Sequence, residues 1–515
     1  MKEFMQTHQV YLTPLSPIHI GCGEDFEPTN YVIDNNVLYH FEPSQLNLSD
    51  TQKQNLITYS NRCDLLAIQR FFLDNKQQAV NSAHYVANVA DEIARNWSSK
   101  MGKVAQQEKD GNKVVANLAI ERTAYLPYKN EPYIPGSSFK GVLATSLLNE
   151  EHKKKGSPKV RKEDNKALQK EYIGEFQHSK LRTVKFSDFV PVTPTHTKVF
   201  YSLNYKKVPT DKGSKGKGIT LRRECILQGQ YRAFQSELSL WVNADNPLSL
   251  KEYFSLLNRY HQKIFNDECV MLIERGLVSK EWIAKVFRLI NNNQVALVRL
   301  GKNGADSKVY QGNIAQIKIM KGKGQKSDFR SSATTVWLAG NQEQQSSGLL
   351  PFGWALLEVA NDQENEPLKQ WCAEQLKQLS VFDKIEKLRD REAQRAEIQA
   401  KKAAEEAEKQ AKAAELKAEQ EAKEKLLNSL SDNQRLIMDF VEKVKNTRER
   451  QADNTGSPLL KEAEALINQA TEWDITDRQF VFEQITPDFL KSKIDFKKKD
   501  TEKNVKKWRN KLGIE

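Results

Sequence analysis

The chain has 515 residues, of which 39% are apolar and 28% charged, with a formal net charge of +12. That length allows two to four domains, the apolar share supplies ordinary cores but no membrane span, and the positive excess suits a polyanionic partner. The five cysteines are odd in number, scattered and without a C-x-x-C pair, which argues against a disulfide framework or a cysteine zinc site and for a reducing compartment. No apolar signal region follows Met1-Lys2-Glu3-Phe4, so a cytoplasmic protein without a membrane partner is expected.

Residues Val10 to Gly23 read as a short strand that runs into a Pro-punctuated turn, Pro14-Leu15-Ser16-Pro17-Ile18-His19-Ile20, and ends in the pair Gly21-Cys22-Gly23. Tyr31 to Phe41 reads as a hairpin around Asp34-Asn35-Asn36 that would extend the first strand's sheet. Helices are expected over Cys63 to Leu73 and Ala79 to Asn96.

Tyr133 to Leu143 is the densest segment. Pro135 and Gly136 mark a turn, Ser137 and Ser138 are favoured N-cap residues, and Lys140 falls in the first turn of a helix running through Leu147 and Leu148. The free N–H groups and positive end of such a helix attract an oxyanion, to which Lys140 adds a formal charge. Four residues separate Gly136 from Gly141 and no Lys-Ser/Thr follows, so a mononucleotide P-loop is not expected. The bland reading is a Gly-Ser turn that merely starts a helix.

Positive charge gathers in three places. Residues 151–170 carry eight Lys/Arg against three Asp/Glu, 206–223 carry seven against one, and the last 25 carry ten against four. The runs 151–166 and 206–218 contain too few apolar residues for a core and read as loops. Lys206, Lys207, Arg222 and Arg223 bracket the second. Strand signals resume at Lys198–Leu203 and Glu224–Trp241.

Helices at Leu250–Asn266 and Lys280–Asn291 open a second unit, which continues with a strand, Val295 to Leu300, running into Gly301-Lys302-Asn303-Gly304. Further strands are expected at Thr334–Leu338 and Trp354–Val359. From Glu386 to Lys425 the chain is nearly all Ala, Glu, Lys, Gln and Arg, with eleven charges of each sign. Alanine propensity and i,i+4 ion pairs favour a single exposed helix there. Gln434–Lys445, Leu459–Ala470, Asp477–Gln484 and Thr501–Leu512 then suggest a small helical module with a basic end.

The Pro-Ile-His-Ile-Gly turn and Pro135-Gly136-Ser137-Ser138-Phe139-Lys140-Gly141 together resemble the repeat-associated RNA-binding (RAMP) superfamily of CRISPR systems. Val184-Lys185-Phe186-Ser187-Asp188-Phe189, Arg222-Arg223-Glu224-Cys225-Ile226 and Leu350-Pro351-Phe352-Gly353-Trp354 follow in an order similar to that of the fifth subunit of type III-A (Csm) effector complexes. The resemblance spans roughly residues 8 to 360. It implies an α+β chain with tandem ferredoxin-like (RRM-like) domains at 1–245 and 246–382. Beyond residue 383 the chain departs from the family, and its own composition and periodicity give a charged helical spacer at 383–426 and an all-α C-terminal module at 427–515. No paired-aromatic RRM motif occurs, so contact with an RNA backbone through loops and helix ends is expected.

It further implies a non-catalytic subunit that caps the 3′ end of the guide (crRNA) and assists its maturation in antiviral defence. Target RNA, other Csm subunits (above all the repeated backbone subunit) and trimming nucleases would be partners. The expected RNA contacts are Gly136, Ser137, Ser138, Lys140 and Gly141, with His19, Gly21 and Gly23 shaping a groove and Lys206, Lys207, Arg222 and Arg223 adding attraction. Two other readings stand beside this one. One is a metal-independent endoribonuclease with His19 as general base and Tyr11, Tyr31 or Lys140 completing the set. The other is a purely structural cap. No cofactor is expected, and no metal, because no acidic cluster or His-x-x-x-His spacing is present.

Overall fold

Met5–Pro14 is the central strand of a six-stranded sheet. It pairs antiparallel with Phe234–Trp241 on one side and Trp354–Val359 on the other, and Val184–Phe186 and Val295–Arg299 extend the two flanks. Gly136–Lys154 and Leu250–Glu274 are the helices of this layer. Val10, Leu12, Phe139, Leu143, Leu147, Phe234, Leu257 and Val298 close its core. The computed structural model describes residues 4–107, 113–156, 165–210, 213–215, 220–242, 247–292, 294–308, 317–320, 324–361, 363–379, 381, 383–447, 450, 457–495 and 498–514. Much of the two basic runs, 157–164 with 211–212 and 216–219, lies outside the described residues.

A second, ten-stranded sheet runs in the order Gly21–Phe26, Ile120–Thr123, Leu221–Ile226, Thr197–Thr210, Tyr85–Val89, Val37–His40, Tyr31–Asp34. Thr335–Gly340 joins it by pairing with the far half of Thr197–Thr210, from Tyr201 to Lys206. Phe26, Tyr31, Phe72, Trp97, Tyr201, Phe265 and Trp282 belong to its core.

The Asp-Asn-Asn hairpin forms, with Asn35 and Asn36 at φ 45° and 59°, the left-handed pair that a tight two-residue turn requires. It does not extend the first strand's sheet. Val37–His40 pairs instead with Tyr85–Val89, because the chain has already left the first sheet at Pro14 and entered the second at Gly21. The expected helix over Ala79–Asn96 is three elements: helix Lys76–Ser82, strand Tyr85–Val89 and helix Asp91–Lys100. The Tyr-Val-Ala-Asn-Val run is buried along its whole length, and pairing in the sheet outweighs the helix formers on either side.

Residue 245 divides neither sheet. Trp354–Val359 is apolar along most of its length and buried almost throughout, so it suits a central position, which it finds between Met5–Pro14 and Val295–Arg299. The first compact unit accordingly runs from Met1 to Ile398. It includes the first turns of the long helix Lys384–Ser429, where Arg395 donates to the carbonyls of Ser82 and Ala83 at 3.1 and 3.0 Å. The second unit, Gln399–Glu515, contains helices Asp432–Asn446, Pro458–Gln469, Ile475–Gln484 and Lys498–Leu512 around Ile437, Phe440, Val444, Leu459, Val481 and Trp508.

Candidate nucleic-acid interface

The turn after the first strand is knitted to segments far away in sequence. Leu15 N–H donates to the Trp354 carbonyl at 2.9 Å, Gly353 N–H to the Pro17 carbonyl at 2.9 Å, and Ile18 and Ile226 exchange backbone bonds of 3.1 and 2.8 Å. Lys302 N–H donates to the His19 carbonyl at 3.0 Å, and Ala124 N–H to the Ile20 carbonyl at 2.6 Å. Gly301 has φ +80°, and a Cβ there would overlap the His19 carbonyl oxygen. Gly353, at φ +92°, would likewise strike the Leu300 carbonyl. The Pro-Ile-His-Ile-Gly, Arg-Arg-Glu-Cys-Ile, Gly-Lys-Asn-Gly and Leu-Pro-Phe-Gly-Trp segments therefore meet at one crossing, where backbone must approach backbone.

His19 lies inside that crossing with no exposed side-chain surface. Its Nδ1 is 2.7 Å from the Glu224 carbonyl, which fixes the proton on Nδ1, and its Nε2 lies 3.4 Å from a Glu121 oxygen without a hydrogen bond. Arg223 grips Glu121 with Nε and Nη2 at 2.9 and 3.1 Å and reaches Asn303 at 2.5 Å, while Lys302 Nζ lies 3.0 Å from the same carboxylate. These partners, His19 first and then Arg223 and Lys302, hold the Glu121 carboxyl well below the usual carboxylate range against the opposing effect of burial.

The structure places several of the candidate residues inside the protein. Arg223, 6% exposed, spends its guanidinium on Glu121 and Asn303 and does not face a solvent-borne phosphate. His19 is equally withdrawn. Tyr31 is buried as well, its hydroxyl donating to the Leu118 carbonyl at 2.7 Å, and burial pushes its pKa upward. Glu121, which the sequence reading passed over, organises this cluster. Its signal is an acidic residue in an otherwise sheet-like run, Ile120-Glu121-Arg122-Thr123, where a charge needs a partner.

The Gly-Ser helix begins at Gly136, earlier than a serine cap would place it. Ser137 and Ser138 lie inside the first turn, Pro135 occupies the N-cap without a side-chain bond, and the Gly136 N–H donates to Asp188 Oδ1 at 2.8 Å. Gly136 is buried, and a Cβ there would stand 2.6 and 2.7 Å from the carbonyls of Ser187 and Phe186. One donor of the expected anion site is thus satisfied by an internal carboxylate. What remains is lateral. Ser137, Lys140 and Gly141 have i, i+3, i+4 spacing and share a face, while Phe139 and Leu143 point into the core. Ser137 and Gly141 are exposed, nothing lies within 4 Å of a Cβ built on Gly141, and Lys140 has no ion-pair partner among the described residues.

Gly21 and Gly23 are exposed, the former beneath Lys302 and the latter at φ +86° with nothing around it. Arg222 is half-buried and donates to the Asn117 carbonyl at 3.0 Å. Lys206 and Lys207 extend the Thr197–Thr210 strand. Lys206 Nζ lies 2.7 Å from Thr210 Oγ1, Lys207 pairs with Asp306, and with Arg330 and Thr335 they line a cleft. Arg330 carried no signal in the sequence. The structure thus leaves the strip at Ser137, Lys140 and Gly141 open and engages most of the other candidate cations internally.

The family model of the RAMP superfamily matches residues 11–304, which contain the turn, the Gly-Ser helix and the Glu121 cluster. The chain belongs to the RAMP superfamily. Among solved structures, this RAMP protein is similar to a chain of a Csm–crRNA–target RNA ternary complex of a type III-A CRISPR–Cas system. The identity is 15%, the coverage 68% of this chain and 100% of that one, and the TM-score 0.44. It is also similar to Csm5 of T. onnurineus, at 12% identity, 68% and 99% coverage and a TM-score of 0.41. No curated protein matches the chain. Among the described residues, no helix of this RAMP protein is long and apolar enough to cross a membrane.

Proposed function

We propose that this RAMP protein is the fifth-subunit component of a type III-A (Csm) effector complex, a non-catalytic subunit that holds the 3′ part of the guide RNA and limits where trimming nucleases stop. The observation that carries the reading is the open strip on the Gly-Ser helix: an exposed hydroxyl, a bare glycine and a cation without an ion-pair partner among the described residues, on one face at the start of a helix. A phosphate laid across it gains the Lys140 charge, a bond from Ser137 and close approach at Gly141. Sequence readout falls to base pairing between guide and target, since the contacts address the backbone.

The non-catalytic character is supported by the burial of His19, whose Nδ1 is committed to a backbone carbonyl. A general base must reach the proton it removes, and a fully buried imidazole is poorly placed to do so. Incubation of the purified chain with repeat RNA in chelator should leave the RNA intact.

The decisive experiment co-expresses the chain with the other type III subunits and a CRISPR array, isolates the complex and sequences the ends of the bound RNA. With Lys140→Ala, a complex that still forms but carries guides with ragged or displaced 3′ ends is expected. Unchanged guide ends would reject the strip as the contact.

A further inference from the structure

We infer that His40, Glu42 and His84 form a binding site for a first-row divalent transition metal such as zinc. One donor atom from each side chain lies within 4.8 Å of the others. His40 ends the Val37–His40 strand, Glu42 follows two residues later before the turn at Pro43–Gln45, and His84 precedes the Tyr85–Val89 strand. The His84 N–H donates to the His40 carbonyl at 2.9 Å, which holds the two chain segments in register, and the imidazole rings meet edge to face at 4.5 Å.

Two of the donors are buried and without hydrogen-bond partners among the described residues. His40 is only 6% exposed, yet its Nδ1 has no hydrogen-bond partner, and the Nδ1 of His84 is buried and unpartnered too. An unpaired buried ring nitrogen is destabilising, and coordination to an ion would relieve it. Arg122 and the His40 ring both pack against Phe26. Arg122 is itself opposed by Glu24 at 3.8 Å and sits against the rings of Tyr125, Phe26 and Tyr85. Glu42 is exposed and has no cationic partner among the described residues.

Two imidazoles and one carboxylate suit zinc, cobalt or iron(II), and disfavour magnesium and calcium, which take oxygen ligands. Ligand atoms at about 2.0–2.1 Å on a tetrahedral centre stand roughly 3.4 Å apart, and rotation of the solvent-facing Glu42 side chain closes the difference. Three protein donors leave a fourth position for water on the exposed side. The ion would tie the end of one strand and the following turn to the start of its neighbour.

The test uses the full-length chain with cobalt(II) as a spectroscopic probe and zinc as competitor. The expected result is one equivalent bound with visible d–d bands and no thiolate-to-metal charge-transfer band, displaced by zinc. Affinity should fall at least about tenfold in Glu42→Gln and in His84→Ala. Glu42→Gln preserves shape at an exposed position, so it keeps the test valid if His84→Ala folds poorly. An absence of binding, equal binding by wild type and Glu42→Gln, or a thiolate band assigning the ion to Cys22 or Cys63 would each overturn the assignment.

Discussion

The α-carbon of Gly301 sits so close to the His19 carbonyl oxygen that a side chain there has no room, and the Lys302 N–H donates to that same oxygen at 3.0 Å. The contact joins the end of the Val295–Arg299 strand to the turn that follows the first strand, more than 280 residues earlier. Gly301→Ala must accept both a left-handed φ of +80° and a collision with backbone, which cannot rotate away. We expect a loss of about 3 kcal/mol or more, read as a lower denaturant midpoint. Gly23→Ala shares the positive φ but meets nothing, so its loss should be about 1 kcal/mol. Equal losses would mean that the crossing at His19 yields more readily than its geometry indicates.

Glu121 makes stability depend on acid. Its partners lower the carboxyl's pKa in the folded chain, so the unfolded state takes up a proton first as pH falls. The stabilisation is therefore complete above the ordinary value of 4.5 and is lost progressively below it. His40 and His84, held neutral by burial, also cost stability as pH drops below their ordinary 6.5, and they do so equally in wild type and variant. The informative quantity is thus the difference. Glu121→Gln should be less stable than wild type by about 2 kcal/mol near neutrality, and the gap should narrow as the solution is acidified. A gap independent of pH would show that the carboxylate's charge is not what matters there.

Much of this was legible locally and little of it at long range. The Asp-Asn-Asn turn, the Trp354–Val359 strand and the helix that opens at Leu250 follow from short-range pattern and appear where the sequence places them. Tyr85–Val89 was hidden because only three strand formers, Tyr85, Val86 and Val89, lie between two helical runs, and only its partners at 37–40 and 197–210 settle its form. The serine cap failed for a similar reason. The acceptor for the first helical N–H is Asp188, 52 residues away, and no rule of capping looks that far. Arg223 read as a free cation because Glu121 lies 102 residues upstream. His40 and His84, 44 residues apart, match no metal-ligand spacing, and the pairing of their strands alone brings them together.

Lys140, expected to contact phosphate, and Arg223, expected to add diffuse attraction, should behave oppositely. Lys140→Ala removes a partly exposed charge that has no ion-pair partner among the described residues, so folding stability should stay within about 0.5 kcal/mol of wild type. RNA affinity should fall roughly tenfold at low salt, and the slope of log affinity against log salt should shrink by about 0.7, the value for one lost contact to a single strand. Arg223→Ala leaves Glu121 without its main cation and should cost about 3 kcal/mol of stability. Measured where the variant is still folded, its salt slope should match wild type. A shallower slope for Arg223→Ala would return that residue to the interface.

Glu268 and Arg299 form an ion pair at 2.6 Å with side chains 6% and 2% exposed. Three contacts hold the pair: Arg299 Nε donates to the Phe352 carbonyl at 2.9 Å, its guanidinium lies 4.9 Å from the centre of the Trp354 ring, and Trp354 Nε1 donates to Glu268 at 3.3 Å. Removing one charge strands the other without water, so Glu268→Leu alone should cost about 3–5 kcal/mol. Removing both avoids that penalty. The double variant Glu268→Leu/Arg299→Met should recover most of the loss, with about 1 kcal/mol retained for the bond to Phe352. Near-ultraviolet circular dichroism should report both steps, because Trp354 loses its acceptor in the single variant and its cation in the double. Additive losses in the two single variants and the double would mean that the charges are solvated independently, contrary to their burial.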